Sequence, residues 1–160
     1  MKDDLNYSPT DCFETFPFPH GLANNPDLEA AGGAYHDHRA KLMIARKEGL
    51  TKTYNRFHDP AETAGDIATL RTLHAAMDRA VLAAYGWHDL IPQAQAAFLT
   101  EETEDDPKYH DRYFWPAPVR EEVLARLLAL NAERAAAERR AGLSPRGAAL
   151  PTDADTEEAV

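Results

Sequence analysis

The chain has 160 residues, 44% of them apolar, which is enough for one domain with a modest core. A formal net charge of −10 argues against a free-standing nucleic-acid binder, which is usually basic. No apolar run is long enough to span a membrane, Met1-Lys2-Asp3-Asp4-Leu5 lacks the core of a signal peptide, and the single Cys12 excludes an internal disulfide, so a cytoplasmic protein is expected.

Residues 1–23 alternate aromatics (Tyr7, Phe13, Phe16, Phe18) with Pro9, Pro17 and Pro19. Proline at this density opposes a helix and a central strand, so an extended segment is expected, with one short edge strand at Cys12 to Phe16. The helical domain follows over 24–143. Asn25 is a suitable N-cap, Pro26 fits the first helical position, and Asp27 and Glu29 suit the positive end of the dipole. Leu28, Ala31, Tyr35, Leu42 and Ala45 recur at helical spacing, Arg46 and Lys47 fill the last turn, and Gly49 is the expected C-cap.

Residues 50–60 are expected to form a connector, with room for one helical turn. Asp59-Pro60 opens a second helix whose stripe is Ile67, Leu70, His74, Met77, Val81 and Ala84, closed by Gly86 with Trp87 as a hydrophobic latch. Ile67, Leu70, Met77 and Val81 are expected to form the main core with Leu42 and Leu127. A short helix is expected at Gln93 to Leu99, and a loop over the acidic run Glu101 to Asp106. An aromatic cluster (Tyr109, Tyr113, Phe114, Trp115) precedes a third long helix, which starts at Pro118 and ends at Gly142. Residues 144–160 read as a disordered acidic tail. The fold class is therefore mainly α, with three long helices joined by irregular aromatic segments.

Charge is unevenly distributed. Between Arg39 and Arg56 there are six cations (Arg39, Lys41, Arg46, Lys47, Lys52, Arg56) and one acid, Glu48. With a Debye length of about 8 Å at physiological salt, a local positive field survives inside an acidic chain. Two readings fit. The cations contact phosphates, with Thr51, Thr53, Tyr54 and Asn55 as added donors, or they are a solvated helix face with a basic final turn.

Other chemistry is weaker. His36 and His38 point about 200° apart on a helix and cannot share one metal ion unaided, and His20 and His58 lie elsewhere in the chain. His74, on the apolar stripe, reads as a core histidine bonded to a carbonyl or to a carboxylate such as Asp78, four residues on. The two aromatic clusters could stack bases, but their neighbours are mostly acidic, which favours core or docking surface.

Three stretches together resemble one family: Tyr7 to Pro19 (Tyr-Ser-Pro-Thr-Asp-Cys-Phe-Glu-Thr-Phe-Pro-Phe-Pro), Glu48 to Pro60 (Glu-Gly-Leu-Thr-Lys-Thr-Tyr-Asn-Arg-Phe-His-Asp-Pro), and Ile67 to Trp87 with Leu70-Arg71-Thr72-Leu73-His74 and Ala84-Tyr85-Gly86-Trp87. In this order and spacing they are similar to the C-terminal region of bacterial adenine-specific DNA methyltransferases of restriction–modification systems, including those fused to a nuclease. Ala129 to Arg134 is similar to the last helix of that region. The resemblance implies that the Phe-Glu-Thr-Phe-Pro segment closes a target-recognition domain, with the helices after it. The family's catalytic module carries an Asn/Asp-Pro-Pro-Tyr/Phe loop for the flipped adenine and a glycine-rich loop for S-adenosylmethionine. This chain has no Pro-Pro pair and no Gly-x-Gly. The resemblance therefore implies no catalytic residue, metal or cofactor site here. It implies double-stranded DNA and a catalytic methyltransferase subunit as partners, whether the chain is a split gene product, a remnant or an excised domain. A stand-alone helical interaction domain without a DNA role is the alternative.

Overall fold

The computed structural model describes Phe13 and residues 15–142, and among these the protein is mainly helical. Four α-helices are delimited: α1 (Pro26–Arg46), α2 (Leu50–His58), α3 (Gly65–Ala84) and α4 (Ala117–Arg140). Two short strands, β1 (Ala97–Phe98) and β2 (Tyr113–Phe114), pair antiparallel with Ala97 opposite Phe114 and Phe98 opposite Tyr113. None of the described helices is long and apolar enough to cross a membrane. The chain divides into two compact units, residues 18–125 and residues 1–17 with 126–160.

The ends of α1 follow from local chemistry. Asn25 Oδ1 accepts the N–H groups of Asp27 and Leu28 at 3.1 Å each, and Pro26 stands where no N–H is needed. The C-terminus is closed by Lys47, not by Gly49. Lys47 is left-handed (φ 54°), its N–H donates to Ile44 O, and the Glu48 N–H donates to Met43 O. Gly49 is extended and begins α2 instead.

The connector is thus a helix of nine residues. It buries Thr53 and Phe57, four apart on one face, and Thr53 Oγ1 returns a hydrogen bond to Gly49 O at 3.2 Å. Asp59-Pro60 does not open α3. Asp59 Oδ1 takes the Ala61 N–H at 2.8 Å, Glu62 takes the Ala64 N–H at 3.0 Å, and the helix starts only at Gly65. These side-chain acceptors favour a turn over a helical start.

Gly86 ends α3 at φ 77°, and the Trp87 N–H folds back onto Leu82 O. In place of the expected helix at 93–99, turns run through residue 93 and lead into β1. The acidic run is a turn, closed beyond the ladder by Leu99 N–H to Arg112 O and Asp111 N–H to Leu99 O, both 2.9 Å. Helix α4 starts one residue before Pro118, and Gly142 lies just beyond its end at φ 72°.

Within residues 18–125 the core has two parts. Tyr35, Leu42, Phe57, Ile67 and Leu70 are buried together, with Met77 and Tyr113 packed against them. Leu82, Leu90, Ala94 and Val119 form the second part, with Trp87 and Trp115. Val81, expected in the core, is 37% exposed, and Leu82 (1%) is buried instead. The stripe drifts because the second cluster meets α3 from another side. Leu127, expected beside Ile67, belongs to the other unit, where it is half-buried.

In that other unit the second half of α4 half-buries Arg126, Leu130, Asn131 and Arg134 and exposes Leu128. Phe13 and Thr15 are helical, not extended, so the described part of the expected edge strand is not one. Tyr7, Cys12 and the expected tail from residue 144 lie outside the described residues.

Candidate nucleic-acid interface

The ten nominated residues lie on α1, its capping turn and α2, but the fold does not present them alike. Arg46 is turned to α3. Its Nε and Nη2 meet both oxygens of Asp66 at 2.7 Å each, and this fork holds the Asp66 carboxyl below its usual range. Arg56 is held from two sides, by both oxygens of Glu48 (2.8 and 2.9 Å) and by Glu62 at 2.7 Å. Hydrogen bonding from Arg56 lowers Glu48. The Ala64 N–H first, then Arg56, lowers Glu62. The six-to-one excess of cations in the sequence is thus cut by Glu62 and Asp66 arriving from beyond the segment.

Arg39 is partly engaged. Its Nη1 donates to Tyr54 Oη at 3.2 Å, and its guanidinium lies 5.6 Å from the Tyr35 ring centroid. The two phenols are 2.6 Å apart, and burial, then Tyr54, raises the Tyr35 pKa. Tyr54 is therefore half-buried and occupied on its polar end.

Lys41, Lys47 and Lys52 are exposed and form no ion pair within 4.0 Å among the described residues. Thr51 and Asn55 are exposed on α2. At spacings of three and four, Thr51, Lys52 and Asn55 share its outer surface, while Thr53 and Phe57 fix its inner one. Thr53, expected from sequence as one of the added donors, is buried and bonded to Gly49 O, which removes it from any surface contact.

The histidines do not form a site together. His38 Nε2 lies 2.8 Å from Asp66 O, and His36 stands beside Asp37. Among the described residues no group of three or more His, Cys, Asp or Glu is arranged to hold a metal. His74 Nδ1 is 3.2 Å from Asp78, with the Tyr35 and Phe57 rings packed on it, which is a core arrangement. Tyr109 stacks on Phe114, with Arg120 3.8 Å over its face, and Tyr113 packs on Phe57 and Phe98. These rings are consumed by local packing.

Arg71 does not stand out by pattern, because it reads as one more polar position on α3. Its guanidinium donates to the carbonyls of Phe57 (3.0 Å), Glu62 (3.1 Å), Arg56 (3.1 Å) and Asp59 (2.8 Å). It also lies over the rings of Phe98 and Tyr113 at 4.9 and 5.5 Å. It thereby fixes the end of α2 and the loop after it. Glu104 is equally hidden within the acidic run. It is buried and pairs with Arg120 at 2.9 Å through Oε2, an oxygen with no other partner, in an approach that is ionic more than hydrogen-bonded. The pair lines an acidic cleft of about 600 Å³ with Glu102, Asp106 and Glu121, whose charge is wrong for phosphate.

Comparison with models of known protein families, with curated proteins and with solved structures finds no match to this chain.

Proposed function

We propose that this chain is the C-terminal DNA-recognition and scaffold region of a site-specific adenine DNA methyltransferase of a cytoplasmic restriction–modification system. It acts with a catalytic subunit that binds S-adenosylmethionine and performs the methyl transfer. The methyltransferase class rests on the resemblance of residues 7–19, 48–60 and 67–87. The observation that carries a DNA role is the outer surface of α2 and the end of α1. There Lys41, Lys47 and Lys52 stand exposed and form no ion pair within 4.0 Å among the described residues, with Thr51 and Asn55 as neutral donors. Such residues position a duplex without reading its sequence.

The reading assigns Arg46 and Arg56 to the scaffold. Removing either would leave carboxylates without their cation, so they are poor probes of DNA binding. The test is a salt series of duplex binding by the chain and by Lys41→Ala/Lys47→Ala/Lys52→Ala. Weak binding without site preference is expected. The slope of log affinity against log salt should fall by about 0.9 for each phosphate that the variant no longer neutralises. Wild-type affinity and slope in the triple variant overturn the reading. The neutralised Arg46 and Arg56 would then favour the alternative, a helical protein–protein interaction domain.

A further inference from the structure

Tyr113 sits in β2, and its backbone N–H donates to His58 Nδ1, the last residue of α2, at 3.1 Å. A ring nitrogen can accept only while it carries no proton. The bond therefore fixes the tautomer: Nδ1 bears the lone pair and Nε2 the hydrogen. Protonation would set two donors against each other and remove the acceptor of a strand N–H. We propose that His58 is a proton-operated latch, which holds the β1–β2 segment on the C-terminal end of α2 when neutral and releases it when protonated.

The surroundings set its direction. Phe57 packs edge-on against the imidazole at 5.1 Å between ring centres. The charges that act on it are those of Arg71 and His74 on α3 and of Arg112 just before β2. Asp59, His110 and Asp111 share with it an open cleft of about 410 Å³, through which a proton arrives from solvent. Burial first, then Arg112, His74 and Arg71, hold the His58 pKa below its ordinary value. The sign follows. A base with a lowered closed-state pKa keeps the latch shut above the open-state value of about 6.5, and the closure is lost as pH falls through the lowered one. What still joins β1 and β2 to α2 and α3 is Arg71 over Phe98 and Tyr113 and the packing of Tyr113 on Phe57. Opening therefore detaches the end of α2 from β2 before the core comes apart.

The test is amide hydrogen exchange at Tyr113 across pH 5 to 8, corrected for intrinsic rates, with the amide of Leu70, a fully buried residue inside α3, as reference. In the wild type the opening constant should rise by up to about tenfold for each pH unit below 6.5, until the closed-state pKa is reached. In His58→Asn, whose Oδ1 replaces Nδ1 as an acceptor that does not titrate, the rise should vanish. A flat wild-type profile, or the same rise in His58→Asn, overturns the latch. The imidazole nitrogen spectrum of the wild type at pH 8 decides the case without a variant. The Nε2–H form is expected, and the Nδ1–H form overturns it.

Discussion

Arg71 shows how one side chain can replace several absent caps. The last carbonyls of a helix have no partner within it, and α2 ends without a glycine. The planar fork of Arg71 reaches Arg56 O and Phe57 O in the helix and Asp59 O and Glu62 O in the loop beyond it. Its face remains available to Phe98 and Tyr113. A lysine offers one point charge and cannot span these acceptors. Arg71→Ala is expected to lower stability by about 2–3 kcal/mol, the scale of hydrogen bonds to a charged group, and Arg71→Lys to recover little of it. Both are read from chemical denaturation. Full recovery by lysine would show that charge alone, and not the fork, secures the end of α2.

At the level of elements, what could be read in the sequence is what local chemistry decides. Asn25 and Pro26 mark the start of α1, and Gly86 and Gly142 fall where α3 and α4 close, because caps act within a few residues. Helix α2 is hidden for the opposite reason. Its nine residues have no capping side chain, and it exists because Thr53 and Phe57 are buried, Phe57 in one cluster with Tyr35 and Leu42 of α1 and Ile67 and Leu70 of α3. The two-residue strands carry too little pattern to notice. The candidate interface divides in the same way. The run of cations from Arg39 to Arg56 is plain in the sequence, whereas the capture of Arg46 by Asp66, twenty residues away, is a tertiary event. The stripe of α3 is legible at Ile67 and Leu70, which are fully buried, and fails at Val81, where packing passes to Leu82. Leu70→Ala should therefore cost about 2–5 kcal/mol, as for a fully buried leucine whose site cannot collapse. Val81→Ala should change the melting temperature far less. Equal effects of the two would mean that the stripe is centred on neither.

For the whole molecule, the opposing signs of its charge bear on the proposed encounter with DNA. On the proposed reading, Lys41, Lys47 and Lys52, which form no ion pair among the described residues, would attract phosphate locally, while a net charge of −10 would repel it at longer range. Four of the acids, Asp153, Asp155, Glu157 and Glu158, lie in the last eight residues, and Arg146 is the one cation after Leu143. Ending the chain at Leu143 removes four negative charges and one positive, which takes the net charge from −10 to −7. Proline, glycine, alanine and acid in that stretch offer little apolar surface to offset ordering entropy, so stability should not change. Association with duplex DNA should quicken at low salt, because the repulsion acts over the screening length. The gain should disappear near 0.15 M salt, where that length is about 8 Å. Stopped-flow binding at several ionic strengths, run beside thermal melts, makes the comparison. A lower melting temperature in the shortened chain would show that the last residues belong to the fold. A rate gain that persists at high salt would show that they block the lysines by direct contact, so that the long-range field is not the cause.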